Sequence, residues 1–555
     1  MEIPEIIKEP VNQQQLLPEN YYAENFREVL NSVLSGYDSI LSDSEKQFGV
    51  ALNLLSEDAF KLYARLVNRT PLIFRLSKLN YPAINSISDA SSELGKFDFI
   101  QKINEENLAQ FCQDILQCFT VKELKLAFAG ALPRDLISRA DVCGYISEHE
   151  EKREMLAILL SGEPLIRCEK KELWRYYRFL FFGELYSDLS AFVIYELGHV
   201  AVEKKGNLKT LFKFRKEVDD CYNLALFYEE FRNIRETETV EFLWAWYQSR
   251  NIYRTKLCET AWPVYDRFAD KFGRLLERNK RFSEAQILYL TSPASPCRER
   301  LAKLYQKQEE LNKAKELCIE IIEKPNDAEE HYAASQLLNR INKTSKRSQA
   351  RELLSTAEII HLDYREEYVE NAVIAHYSNQ GWNAVHSENW LWNSLFGLCF
   401  WDIIFNDEQG FHHPFQFGPS DLYRGFYINR KELIDARIPL LENKTARTKI
   451  INACFKNKSG IANPFISWHD DLPALIKNLL SVTPPHGIAG ILKEMVRDLK
   501  NNRKGFPDLF LWKKNEYRFI EVKSENDQLS AQQYYWLNLF NKNGVVAEVV
   551  RVKLL

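Results

Sequence analysis

Two short apolar runs near the carboxyl terminus constrain the fold of this chain more than any other feature. The first run is Leu509 to Trp512 and the second is Phe519 to Val522, with the polar segment Lys513 to Arg518 between them. Apolar runs of strand length joined by a short polar segment predict a β-hairpin. We therefore expect the rest of the chain to be organised around this hairpin.

Charged side chains occupy the ends of the predicted strands. Asp508 opens the first strand, and Glu521 and Lys523 lie two residues apart on the second strand, so these two side chains share a face. With a turn near Asn515, we expect Asp508 to lie opposite Lys523 and diagonal to Glu521. Two carboxylates and an ammonium would then share one small site.

This combination of residues suits phosphodiester hydrolysis. Carboxylate oxygens hold hard divalent cations, and a bound cation polarises a phosphoryl oxygen and supplies a hydroxide. A lysine can orient that nucleophile or neutralise charge developing on phosphorus. Asp508, Glu521 and Lys523 match a PD-(D/E)xK motif. An exposed hairpin could also carry such residues as ordinary solvated side chains. Downstream, Ser530 predicts a helix start, with Gln533 either completing a capping box or reaching back to the cations.

Several segments together resemble one family of nucleases. GFPDLFLW, FIEVK and NDQLSAQQYYWL are similar to the VRR-NUC domain of the Fanconi-associated nuclease family, in its bacterial-type form. HSENWLWNSLFGLCFWDIIF is similar to the family helix that carries a first metal ligand, here Glu388, with Asn389 replacing the expected small residue. FKLYARLVNRTPLIFRLSKLNYPAI is similar to the family's amino-terminal region, with Ala83 where a glutamate is expected.

The resemblance implies a restriction-endonuclease-like α/β core with a mixed sheet. The implied catalytic and metal-binding residues are Glu388, Asp508, Glu521, Lys523, Gln533, Gln416 and the Val522 carbonyl. Glu388, Asp508, Glu521 and the Val522 carbonyl would hold one or two Mg²⁺ or Mn²⁺ ions, with Lys523 positioning the attacking water and Gln533 and Gln416 supporting the site. The implied activity is that of a structure-specific DNA nuclease that cuts 5′ flaps and digests DNA 5′ to 3′ in DNA repair, including interstrand crosslink repair.

Basic residues interleaved with aromatic ones predict contacts with DNA phosphates. The predicted contacts are Arg65, Arg69, Arg75 and Lys78 in the amino-terminal segment, Lys122, Lys125, Arg134 and Arg139 in the next, and Arg424, Arg430, Lys500, Arg503 and Lys504 close to the hairpin. A solvated basic face, or ordinary positive charge at a helix C-terminus, is the alternative explanation for these groups.

The sequence predicts four domains, mainly helical over the first two-thirds. They are a helical DNA-binding domain (1–107), a SAP-like module (108–165), a tetratricopeptide-like repeat domain (166–370) and the nuclease domain (371–555). A plain helical hairpin is the alternative to the SAP-like module. The repeat depends on the alignment of Phe282 with Leu311 and of Ala285 with Ala314, at a period shorter than the usual tetratricopeptide one.

Composition restricts the partners and the compartment. The 555 residues carry a net charge of −4, so binding to DNA would require local basic patches. The ten cysteines include no CxxC pair, which indicates neither a zinc site nor a disulfide framework. Without a membrane-spanning apolar stretch or a signal peptide, we expect an intracellular protein, nucleoid-associated in a bacterial cytoplasm or nuclear in a eukaryote. Its expected partner is flapped or branched DNA.

Two other functions are compatible with parts of the sequence. One is junction resolution, which smaller single-domain members of the superfamily perform, but the large helical portion argues against it. The other is a non-enzymatic DNA-repair scaffold with a degenerate nuclease domain. The intact set of Glu388, Asp508, Glu521 and Lys523 argues against a scaffold.

Overall fold

The computed structural model describes residues 20–128, 132–133, 136–149, 151–185, 201–203, 208–343, 349–363, 368–406 and 410–555. These residues form two compact units. The amino-terminal unit holds the described residues up to 185 together with 210–218. The carboxyl-terminal unit holds the described residues from 201 to 209 and from 219 to 555. Each unit has hydrophobic clusters of its own.

The amino-terminal unit combines nine helices with a small sheet in its described part. The helices are α1 (Tyr21–Gly36), α2 (Asp43–Asn53), α3 (Glu57–Val67), α4 (Ile87–Lys96), α5 (Cys112–Gln117), α6 (Val121–Ala127), α7 (Arg139–Glu148), α8 (Lys152–Gly162) and α9 (Lys171–Phe182), with 3-10 turns at Leu76–Lys78 and Leu108–Phe111. The strands are β1 (Ile73–Arg75), β2 (Ile100–Lys102) and β3 (Leu165–Cys168). β3 lies between β1 and β2 and pairs antiparallel with both.

Local sequence signals account for the helices of this unit. Apolar residues at helical spacing form the buried side of α1, with Phe26, Val29 and Leu30 all 0% exposed. Ser42 caps α2, because its hydroxyl accepts from the Glu45 N–H while the Glu45 carboxylate accepts from the Ser42 N–H. The three short strands were not anticipated, so the expectation of helices in this part is correct but incomplete.

In the chain, a helical array lies between the amino-terminal helices and the strands of the large sheet. It contains α10 (Arg215–Ile234), α11 (Val240–Arg250), α12 (Trp262–Arg278), α13 (Phe282–Leu290), α14 (Cys297–Lys307), α15 (Leu311–Glu323), α16 (Ala328–Asn342) and α17 (Gln349–Thr356), with 3-10 turns at Arg254–Lys256 and Glu259–Ala261. Consecutive helices from α12 to α16 pack against each other. Ala285 and Ala314, the aligned small residues, are both 0% exposed within this packing.

The carboxyl-terminal elements surround one five-stranded sheet. The strands are β4 (Glu358–Leu362), β5 (Asn383–His386), β6 (Leu509–Lys513), β7 (Glu516–Lys523) and β8 (Ala547–Leu554). The helices are α18 (Val369–Asn379), α19 (Trp390–Ile404), α20 (Phe426–Asn429), α21 (Lys431–Glu442), α22 (Lys444–Lys458), α23 (Leu472–Val482), α24 (Pro485–Arg497) and α25 (Ala531–Lys542).

The sheet is mixed, as predicted. Its order is β4-β8-β7-β6-β5, with β8 parallel to both neighbours and with β6 antiparallel to β5 and β7. β4 precedes residue 371, where the sequence predicted the nuclease domain to begin. Strand alternation directs Leu509 towards Val373 of α18 on one face and Phe510 towards Trp392 of α19 on the other. Helices therefore cover both faces of the strands that carry the motif.

The β6–β7 hairpin forms where the sequence predicted it, but with a different register. Leu509 pairs with Ile520 and Lys513 pairs with Glu516, which leaves only Lys514 and Asn515 in the turn. Lys514 adopts a left-handed backbone (φ 56°), which permits so tight a turn. Continuing this register places Asp508 across from Glu521. The expectation that Asp508 lies opposite Lys523 is therefore wrong.

Candidate active site

Main-chain hydrogen bonds bring Glu388 beside Asp508. β5 pairs with β6 so that His386 lies opposite Leu509. Just beyond this pair, the N–H groups of Ser387 and Glu388 donate to the Asp508 carbonyl over 2.7 and 3.1 Å. Glu388 thus lies in the connection between β5 and α19, two residues ahead of the helix start. The backbone alone fixes the position of this predicted ligand relative to the hairpin.

The hairpin buries two carboxyl groups. Glu521 is 0% exposed and Asp508 is 8% exposed. Burial raises the pKa of Asp508 to about 6. A hydrogen bond of 2.8 Å from the Val522 N–H and the charge of Lys523 favour the ionised form, but burial outweighs them. Burial and the neighbouring Asp508 raise the pKa of Glu521 to about 8. Two acids that resist ionisation side by side are a typical feature of functional sites.

Lys523 supplies the positive charge nearest to these acids. Its ammonium lies 2.8 Å from an oxygen of Glu521, and its side chain is only 11% exposed. Its charge favours the ionised form of Glu521, but burial and the neighbouring Asp508 outweigh it, so the pKa of Glu521 stays raised. A buried carboxylate in this state is strongly destabilised unless a further cation approaches it.

The donor chemistry of the site fits a hard divalent cation. Asp508 and Glu521 offer buried carboxylate oxygens that lack full compensation, and Glu388 offers a partly exposed one. In the part of the chain that the structure describes, no group of three or more His, Cys, Asp or Glu side chains is already arranged to hold a metal ion. The Glu388 carboxylate instead accepts a hydrogen bond of 2.9 Å from the Asn389 amide.

One acidic residue near the site was missed by the sequence analysis. Glu370 lies in the first turn of α18, and its charge contributes to raising the pKa of Asp508. An acid in the first turn of a helix is usually explained by the helix dipole, so its position in the sequence did not indicate that Glu370 lies near the site. Only the packing of α18 against the sheet brings Glu370 close enough to act on Asp508.

The two glutamines predicted to support the site have defined local partners. Gln533 completes a capping box, in which its side-chain oxygen accepts from the Ser530 N–H over 2.9 Å. Gln416 is 9% exposed and braces its own loop. Its side-chain oxygen accepts from the His412 and His413 N–H groups. Gln416 is thus a buried structural amide, and a direct catalytic role for either glutamine stays a prediction.

The basic residues predicted near the hairpin have different environments. Lys500, Arg503 and Lys504 are exposed just ahead of Asp508. Arg424 is exposed, although its nearby packing and the charge of Arg267 lower its pKa. These four side chains can reach an external phosphate.

Arg430 differs from these four. It is 2% exposed, and its guanidinium pairs with Asp421 over 2.7 Å. The structure therefore assigns it to the protein interior and corrects its prediction as a phosphate contact.

The basic residues of the amino-terminal unit divide in a similar way. Arg69, Lys78, Lys122 and Lys125 are exposed, and Arg65 stacks on the ring of Tyr22. Arg134 lies outside the described residues.

Two predicted contacts of this unit are used inside the protein. Arg75 is paired with both Glu123 and Glu163. Arg139 donates to the Leu116 and Gln117 carbonyls at the end of α5. The two ion pairs of Arg75 correct the prediction that it contacts phosphate. Arg139 is exposed, and a phosphate contact there stays a prediction.

Two family models match parts of the chain. The model described as VRR-NUC domain matches residues 442–554, which include the hairpin, and the model described as FAN1, HTH domain matches residues 20–101. Glu388 lies ahead of the first match. In the described part of the chain, no helix is both long and apolar enough to cross a membrane.

Two relatives extend the similarity over nearly the whole chain. A Fanconi-associated nuclease 1 homolog of Pseudomonas aeruginosa is 27% identical over 98% of this chain and 98% of its own length. A Fanconi-associated nuclease 1 homolog of Arabidopsis thaliana is 25% identical over 96% of this chain and 67% of its own length.

Solved structures show the same fold. A crystal structure described as paFAN1 bound to 2nt 5′ flap DNA with gap has a TM-score of 0.81 at 25% identity, covering 97% of this chain and 99% of the other. A second, with 1nt 5′ flap DNA, has the same TM-score and identity. With its mixed sheet and the motif of its hairpin, the chain is a nuclease of the VRR-NUC class. Over nearly its whole length it is similar to Fanconi-associated nucleases, and this similarity implies a divalent metal ion.

Proposed function

We propose that this protein is a structure-specific DNA nuclease that cuts 5′ flaps and branched DNA, digests DNA 5′ to 3′, and acts in DNA repair, including interstrand crosslink repair. The observation that carries the proposal is the buried pair Asp508 and Glu521 beside Lys523 at the end of the hairpin. Relatives named as Fanconi-associated nucleases, and a similar structure described with 5′ flap DNA, support the substrate class.

The metal site that we propose contains Glu388, Asp508, Glu521 and the carbonyl of Val522. Its oxygens suit one or two Mg²⁺ or Mn²⁺ ions, because both prefer carboxylate and carbonyl ligands. These residues would hold a divalent ion whose Lewis-acid charge would polarise the scissile phosphate and favour deprotonation of water. Asp508 and Glu521 must both ionise to hold it, and their raised pKa values make metal binding compete with protons.

Lys523 has a direct role in this proposal. Its ammonium lowers the energetic cost of ionising Asp508 and Glu521, since its charge lowers the pKa of both acids. Its position 2.8 Å from Glu521 also allows it to orient the attacking water or to neutralise charge on phosphorus. Gln533 would support the site from the first turn of α25, and Gln416 by bracing the loop from 410 to 418.

The proposed DNA contacts follow from charge and, for all but the partly buried Arg65, from exposure. They are Arg65, Arg69, Lys78, Lys122 and Lys125 in the amino-terminal unit, and Arg424, Lys500, Arg503 and Lys504 in the carboxyl-terminal unit. Arg134 remains a proposal from sequence alone. Arg75 and Arg430 are excluded because ion pairs inside the protein already use them.

The four-domain division, with a SAP-like module and tetratricopeptide-like repeats, is part of the same proposal. Its support is local. α6 and α7 are two short helices, each starting at a capping box, in the segment proposed as SAP-like. The helices α12 to α16 stack consecutively in the segment proposed as repeats. A grip on duplex arms by these helical parts would supply the preference for branched DNA.

The decisive experiment compares cleavage of labelled 5′-flap, 3′-flap, four-way junction and plain duplex DNA with Mn²⁺, for wild type and Asp508→Ala. We expect wild type to prefer the 5′ flap and Asp508→Ala to lose cutting. Preference for the four-way junction would indicate junction resolution instead. Metal-dependent binding without cutting would indicate a repair scaffold.

A further inference from the structure

A basic cavity of about 640 Å³ lies in the helical array and contains no residue of the candidate active site. Its cations are Arg235, Lys271, Arg274, Arg278 and Arg300, and its one acid is Glu236. The whole chain carries a net charge of −4. The cavity therefore concentrates positive charge that the overall composition conceals.

One face of α12 contributes most of this charge. Lys271, Arg274 and Arg278 are three and four residues apart, so they lie on the same side of the helix. The other side of α12 faces the core, where Phe268 and Phe272 are 0% exposed. The basic stripe is therefore held in place by a helix that is anchored along its length.

Three of the five cations already have acidic partners. Arg274 pairs with Asp270 over 2.5 Å, and Arg235 pairs with Glu236 over 3.0 Å. Arg300 donates twice to one oxygen of Glu277, over 3.0 and 2.8 Å. These pairs stabilise the walls of the cavity and reduce its charge.

The remaining two cations, Lys271 and Arg278, are exposed and form no ion pair with any residue that the structure describes. The helix dipole explains a cation at Arg278, in the last turn, but not at Lys271, two turns earlier. Two unpaired cations on an otherwise neutralised wall are the arrangement expected for an external anion with more than one charged group.

The array also joins the cavity to the nuclease part of the same unit. Helices α12 to α16 pack in succession, and α16 packs on α25. Tyr332 of α16 and Tyr534 of α25 meet with their ring centres 5.5 Å apart. α25 follows the strand that ends in Lys523. A ligand held in the cavity is thus held by the same packed body that carries the candidate active site.

We infer that the cavity binds backbone phosphates of a duplex arm of the DNA substrate. This inference rests on the proposed nuclease function and adds a site for the arm. Lys271 and Arg278 are separated by seven residues, or about 10.5 Å of helix. Each strand of duplex DNA presents a phosphate about every 3.4 Å along its axis, so a strand that follows α12 offers about three phosphates to this stripe.

The test is the affinity of Lys271→Gln/Arg278→Gln for a labelled 5′-flap duplex, measured by fluorescence anisotropy in EDTA over a series of salt concentrations. Loss of two phosphate contacts is expected to weaken binding roughly tenfold near 0.1 M salt. It should also reduce the slope of log Kd against log salt by about two. EDTA prevents cutting, so the outcome does not depend on whether the proposed nuclease activity is correct.

Two further variants control for charge and folding. Lys324→Gln/Arg340→Gln makes the same change of charge on exposed residues of the array that do not line the cavity, and it should bind like wild type. Lys271→Arg/Arg278→Lys keeps both charges and should restore affinity and slope. Unchanged binding by Lys271→Gln/Arg278→Gln, or an equal loss in the control pair, would overturn the inference.

Discussion

Replacement of Glu521 by glutamine should remove most of the pH dependence of stability of the metal-free protein. The folded structure raises the pKa of Glu521 from 4.5 to about 8. Between these values the folded form keeps a proton that the unfolded chain has lost, so stability falls as the pH rises. The fall continues until the pH passes the folded pKa. The full effect is about 5 kcal/mol, at 1.36 kcal/mol per pKa unit.

The measurement is denaturant unfolding in EDTA from pH 5.5 to 7.5, with hydrogen exchange of the β7 amides as a local readout. Wild type should lose about 3 kcal/mol over this range, with Glu521 contributing the larger part and Asp508, whose pKa is raised to about 6, the smaller part. Glu521→Gln should keep only the smaller loss, at the acid end of the range. Glu516→Gln, which neutralises an exposed carboxylate on the same strand, should keep the wild-type slope.

Addition of Mn²⁺ should stabilise wild type most at the higher pH, because the ion binds the ionised carboxylates and offsets their cost. Glu521→Gln should gain much less. An equal pH slope in wild type and Glu521→Gln would refute the raised pKa assigned to Glu521.

Three other substitutions test separate features of the site. Lys523→Ala should reduce cutting at least about 100-fold. It should also shift the pH profile of activity to higher pH, because loss of the ammonium raises the pKa of both buried acids. An unshifted profile would argue against this role. Glu370→Gln should lower the pKa of Asp508 and shift the activity profile towards acid, measured on a labelled flap substrate, whereas no shift would show that Glu370 does not act on the site. Gly505→Ala should destabilise the protein by about 1 to 3 kcal/mol in thermal unfolding, since Gly505 has φ 83° and a Cβ there would lie 2.7 Å from the Gln532 side chain; unchanged stability would contradict this packing.

The hairpin could be predicted from the sequence because its signals are local. Two apolar runs and a polar link specify two antiparallel strands, and Ser530 with Gln533 specifies the helix that follows. The register could not be predicted in the same way. The register depends on the left-handed backbone of Lys514. Lysine rarely adopts this conformation, so the sequence does not predict it.

The parts of the site that the sequence did not reveal depend on contacts between distant segments. Glu370 reads as an ordinary acid at a helix start until α18 packs on the sheet. Arg75 and Arg430 read as candidate phosphate contacts until their acidic partners, such as Asp421, are placed beside them. The strands β1 to β3 are three or four residues long, too short for alternation to be recognised.

The carbonyl of Asp508 has a consequence for how this protein can diverge. It accepts hydrogen bonds from the N–H groups of Ser387 and Glu388, and Ser387 is 121 residues away in sequence. Any residue except proline can provide such an N–H, so substitution at Ser387 need not disturb the spacing of the acids. The intervening loops can also change length at small entropic cost. Relatives can therefore differ widely in the segment between Glu388 and Asp508 and still present these two acids to a substrate.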